Sequence, residues 1–134
     1  MSADGSIELA WGDGEDIFRL ALGQLRILQE KCKAGPNTIR LRLLSGEWYV
    51  DDIRETIRLG LIGGGAKPAA AQEKVQRSVD AQPLADNVML AAAILAAAIV
   101  GAPDDPVGKA LAEEGAPETT MVSSSPPSMD QAQS

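Results

Sequence analysis

The sequence predicts an α+β fold that is mostly helical, with an N-terminal β-hairpin, about five short helices and a disordered C-terminal tail. Three observations carry this. Apolar and polar residues alternate on both sides of a Gly-Asp-Gly turn near the start. Apolar residues then recur at spacings of three and four as far as position 100. Only 3% of residues are aromatic against 45% hydrophobic, so Leu, Ile, Val and Ala must fill the core, which suits packed helices better than a β-sandwich.

The hairpin is read in "SIELAWGDGEDIFRLAL". Ile7, Leu9 and Trp11 alternate with Glu8 and Ala10. Beyond Gly12-Asp13-Gly14, Ile17 and either Arg19 or Leu20 continue in extended form. Asp-Gly between alternating runs is a strong hairpin signal. The first helix follows, with Leu22, Leu25, Leu28 and Cys32 on one stripe. Lys31 and Lys33 suit its C-terminal dipole, and Gly35-Pro36 stops it. Cys32 lies on that stripe, so it reads as a small core residue rather than a nucleophile. Residues 39–44 fit a strand by the alternation of Ile39, Leu41 and Leu43, and a short helix by Ile39, Leu43 and Leu44. Pro36 before and Gly46 after favour the helix.

"VDDIRETIRLGLIGGG" is the clearest helix. Asp52 and Glu55 have capping-box spacing, and Val50, Ile53, Ile57 and Leu61 form its stripe. Arg54 and Arg58 read as a solvated opposite face, and Asp51 with Glu55 as only a weak carboxylate pair. The glycines Gly63, Gly64 and Gly65 read as a hinge between helices. A phosphate loop would need Lys directly after its last Gly and then a hydroxyl. Ala66 stands in place of that Lys, and Lys67, one place late, is followed by Pro68 instead of a hydroxyl. Two further helices are split by Gln82-Pro83. The first is Ala-rich, with Val75 and Val79 four apart. The second runs from about Ala85 to Val100, with Leu84, Val88, Ala91, Leu95 and Ala98 as its stripe and Leu90 and Ile94 on a flank. It is apolar over most of its circumference, which fits a core helix, or a core helix that also meets a partner. Candidate partner-binding residues are therefore Leu90 and Ile94, with Leu59 and Ile62 beside the glycines as the next candidates.

Charge and composition exclude several functions. The net charge is −7. Residues 1–65 hold 8 basic and 10 acidic residues, 66–102 hold three of each, and 103–134 hold one basic and six acidic. A near-neutral domain is expected over residues 1–101, and an acidic Pro/Ser-rich disordered tail over 102–134. A helix-turn-helix over Ile39–Leu61 would carry four basic and four acidic residues, too little positive charge for DNA. There is no histidine and one cysteine, so neither metal, cofactor nor catalytic centre is expected. The 13-residue apolar run Val88–Val100 is shorter than the about 20 residues of a spanning helix. No signal peptide is read at the N-terminus, and a cytoplasmic setting is expected.

The order of Gly35-Pro36, Arg42-Leu43-Leu44, Gly46, Trp48, Val50-Asp51-Asp52, the block Ile57–Gly65, Pro83-Leu84 and a helix ending at Gly101 resembles the gene-transfer-agent family of the phage tail module. That family is grouped with tail assembly chaperones and is also labelled tail tube protein. The resemblance covers roughly residues 5–101, and the segment from Ala102 departs from the shorter family pattern. It implies a non-enzymatic role in tail morphogenesis, as a chaperone that keeps the apolar tape-measure protein soluble and meets other tail proteins. The alternative it leaves is a structural subunit of the tail tube. The missing Lys and hydroxyl after the glycines lead to a first prediction: calorimetry with ATP or GTP gives no heat of binding, and micromolar affinity would refute this reading of the loop.

Overall fold

The computed structural model describes residues 4–101. The expected tail, 102–134, lies outside them. The chain opens with β1 (Ile7–Trp11) and β2 (Gly14–Phe18), an antiparallel pair in the register Ile7↔Phe18, Leu9↔Asp16 and Trp11↔Gly14. The loop is Gly12-Asp13, one residue earlier than an Asp-Gly turn. Gly12 has φ +63° while Asp13 keeps an ordinary φ, the pattern of a II′ turn with glycine first. This register reverses the expected face of β2. Phe18 is fully buried and Ile17 is half exposed, because a one-residue change of register exchanges the two faces. The Phe18 and Trp11 rings meet edge to face, 5.8 Å between centroids.

Five helices follow. They are α1 (Leu22–Cys32), α2 (Pro36–Ser45), α3 (Val50–Gly63), α4 (Pro68–Val75), which runs on as a π-helical turn to Asp80, and α5 (Val88–Val100), entered through a 3₁₀ turn at Leu84–Asn87. Residues 39–44 are helical, as Pro36 and Gly46 imply. Pro36 is the first residue of α2, and Gly46 closes it at φ +86°. Gly35 thus opens α2 rather than closing α1, which ends on Lys33 at φ 59°. Of the α1 stripe, Leu28 and Cys32 are buried, whereas Leu22 is exposed in the first turn.

Helix α3 sits at the centre. It packs against α1, α2, α4, α5 and β2, and its buried residues include Asp52, Ile53, Glu55, Thr56, Ile57, Leu59, Gly60 and Leu61. Of its expected stripe, Ile53, Ile57 and Leu61 are buried, and Val50 in the first turn is exposed. Burial on several sides removes the helix-turn-helix reading, since a recognition helix must offer one side to DNA.

The end of α3 is a Schellman motif. Ala66 N–H donates to Leu61 O at 2.9 Å and Gly65 N–H to Ile62 O at 3.0 Å, with Gly65 at φ +116°. Gly63 and Gly64 face a different constraint. A Cβ on Gly63 would overlap the Arg19 carbonyl oxygen, and one on Gly64 the Ile17 carbonyl oxygen. One turn earlier, the Gly60 carbonyl accepts from Arg19 N–H at 2.9 Å. The run between α3 and α4 is thus where the end of β2 lies directly on helix backbone. Gly64→Ala is expected to destabilise the domain by about 2 kcal/mol or more, while Gly14→Ala, with open space around it, stays near neutral. Thermal melting of the two variants checks this, and equal melting temperatures would refute the close approach.

Candidate functional site

The corner where α2 turns into α3 combines buried polar contacts with exposed apolar side chains. It is built around Asp52, whose side chain is fully buried. Its position in the first turn of α3 is favoured by the helix dipole. Asp52 Oδ2 accepts the Tyr49 N–H at 2.7 Å, so it caps the helix from the third position and not from the N-cap itself; Tyr49 is the N-cap. Arg42 of α2 donates to Asp52 Oδ1 at 3.1 Å and to the Cys32 carbonyl at 3.3 Å. The Arg42 guanidinium also lies 4.4 Å from the centre of the Tyr49 ring, a cation–π distance. The Cys32 thiol donates to Asp51 O at 3.4 Å. One buried carboxylate therefore ties the end of α1, the body of α2 and the start of α3.

Over this frame the surface is apolar. Leu41 and Leu44 line a shallow groove with Thr38, Arg42, Ser45 and Glu47. Tyr49 lies under Arg42, and Val50 follows it. These four large apolar side chains are 49–60% exposed.

The residues singled out from sequence lie elsewhere. Leu59 and Ile94 are buried in the core, and Ile62 and Leu90 are partly buried against it. Ile94 meets Gly60, where a Cβ would come 3.2 Å from its Cγ2. Leu59 and Ile94 therefore offer no surface to a partner in the folded domain. A helix apolar all round gives periodicity no face to select, and the packing of α2 and α3 selects it instead. Gly63 is the last residue of α3, and Gly64 and Gly65 lead from it towards α4, held as described above. The Arg54 and Arg58 face is not simply solvated. Arg58 donates to buried Glu55 at 2.6 and 3.0 Å, and Arg54 reaches Glu55 at 3.1 Å and Asp80 at 2.9 Å. The hydrogen bonds that Arg54 donates to the Asp80 carboxylate hold its guanidinium above the ordinary pKa.

Sequence reasoning missed Asn87. This buried amide accepts from Trp11 Nε1 at 2.8 Å and donates to Ser78 O at 2.9 Å, joining the hairpin to the α4–α5 connection. The available signal was the tryptophan, since a buried indole N–H needs an acceptor. Among the described residues, no group of three or more His, Cys, Asp or Glu is placed to hold a metal ion, and no helix is long and apolar enough to cross a membrane.

The profile of the family described as phage tail tube protein, GTA-gp10, matches residues 4–101. The chain belongs to this family. Comparisons with curated proteins and with solved structures gave no match. The match takes in both strands and all five helices, so the α2–α3 corner lies within the family domain. Membership of a phage and gene-transfer-agent tail family gives the chain a role in the tail and contacts with other tail proteins.

The Cys32 thiol is pushed up to about 12, chiefly by burial and then by the nearby Asp52 charge. The folded state therefore favours the neutral thiol. That contribution is complete below the unfolded thiol's pKa near 9 and is lost as pH rises from there towards 12. Iodoacetamide is expected to leave Cys32 unmodified at pH 8 in the native protein and to alkylate it in urea. Rapid native alkylation would refute the buried assignment.

Proposed function

We propose that this tail-family protein is a non-enzymatic assembly chaperone that holds apolar segments of the tape-measure protein in solution, with the α2–α3 corner as its contact surface. The observation that supports this is that Leu41 and Leu44, both about half exposed, line one groove, with the exposed Tyr49 ring against Arg42 of the same groove. Apolar clusters on small soluble domains mark interaction sites. Arg42 and Glu47 at the groove edge supply a polar rim, the usual surround of an apolar contact. Leu and Tyr side chains on a helix corner suit the apolar face of a partner helix.

A second reading is a structural subunit of the tail tube, which the family description favours. Such a subunit must polymerise, and the described residues hold only two strands. Co-expression with the tape-measure protein separates the readings. The wild type should keep the tape-measure protein soluble. The double variant Leu41→Gln, Leu44→Gln should fold with an unchanged melting temperature, because both side chains are already half in water, and should lose the solubilisation. A folded variant that still solubilises would refute this surface, and filaments of the wild type alone would favour the tube.

A further inference from the structure

Among the described residues, one edge of the two-stranded sheet has no further strand beside it. A β-turn closes with a hydrogen bond between its first and last residues, here Trp11 and Gly14. Pairs then alternate between bonded and non-bonded along the ladder. Leu9↔Asp16 and Ile7↔Phe18 exchange bonds, while Glu8, Ala10, Glu15 and Ile17 turn their N–H and C=O groups outward. On β2 this is confirmed by position, since the Ile17 carbonyl lies against Gly64 of α3. The β2 edge is thus covered. On β1, Glu8 and Ala10 are exposed, and no backbone bond outside the ladder reaches either among the described residues. The strand has no Pro, no Lys and no bulge, which are common guards of such an edge.

We propose that this edge binds β1 of a second copy of the chain, antiparallel and centred on Leu9, to give a two-fold dimer with a continuous four-stranded sheet. The register follows from bonding and charge. Centring on Leu9 places outward-bonding Glu8 opposite outward-bonding Ala10 of the second copy, twice by symmetry, for four new backbone bonds. On the buried side it stacks Leu9 on Leu9 and Ile7 beside Trp11. Centring on Glu8 would oppose two carboxylates, which is unfavourable. Centring on Ala10 would pair Glu8 with Gly12 in the turn. A two-fold pairing closes on itself and makes no filament. The dimer goes beyond tape-measure binding and shares no residue with the α2–α3 corner.

Sedimentation equilibrium of the full chain from micromolar to submillimolar concentration tests this. The wild type should show a concentration-dependent dimer. Ala10→Lys places Lys opposite Glu8 of the second copy and should tighten the dimer by about 2- to 30-fold over two symmetric pairs. Adding Glu8→Gln to it should abolish that gain, because the cross-strand partner of position 10 within the chain is Glu15, so a gain in dimer that needs Glu8 reports pairing between chains. Ala10 is exposed, so circular dichroism should show both variants folded. A monomer at every concentration overturns the proposal, whether the edge is then open or covered by residues 102–134. A dimer indifferent to Ala10→Lys overturns it as well.

Discussion

The close contact between the end of β2 and the last turn of α3 is the constraint on which the rest of the structure depends. Helix α3 can be central only if something covers its C-terminal end. A strand lying backbone to backbone covers it at the cost of any side chain between them, so Gly63 and Gly64 stand there. The bond from Arg19 N–H to the Gly60 carbonyl fixes the strand along the helix. With β2 placed, Phe18 is driven into the core beside Gly60 and Ile94, and α5 crosses α3 where glycine leaves room. The hairpin, the central helix and the last helix meet at residues that carry little or no side chain on one partner.

At its other end α3 is held by charge. A carboxylate with no exposure is tolerated only when paired and hydrogen-bonded. Asp52 has the Tyr49 N–H and Arg42 to satisfy it. Truncating one partner of such a buried pair generally costs about 3–5 kcal/mol, because the other charge is left uncompensated. The same arginine contacts the Cys32 carbonyl and the Tyr49 ring, so the apolar corner rests on a frame with few alternative arrangements. A rigid frame under exposed Leu41 and Leu44 lowers the entropy lost when a partner binds.

Local chemistry was legible in the sequence wherever one residue decides a local conformation. Pro36 and Gly46 bounded α2, the Gly12-Asp13-Gly14 run placed the hairpin turn to within one residue, and the spacing of Leu28 and Cys32 marked the inner side of α1. What was not legible needed a neighbour distant in sequence. Phe18 rather than Ile17 faces inward because of strand register. Ile94 is buried because α2 and α3 close over a helix with no polar side to exclude. Arg54 reads as solvated until Asp80, 26 positions away, is brought beside it. The α2–α3 corner went unselected because Leu41 and Leu44 also fit a core stripe, and only packing shows which of the α2 leucines remain outside.

The hydrogen bond from Trp11 to Asn87 spans 76 positions, so it can form only late in synthesis. A chain emerging from the ribosome presents the hairpin and α1 through α3 before the residues that complete their surroundings exist. Closing so long a loop is entropically slow, and contacts this distant in sequence lower folding rates. Until α5 is translated, Gly60 and Phe18 lack their Ile94 neighbour, and the indole lacks its acceptor. The nascent domain therefore passes through an interval in which its own inner surface is open to other apolar chains.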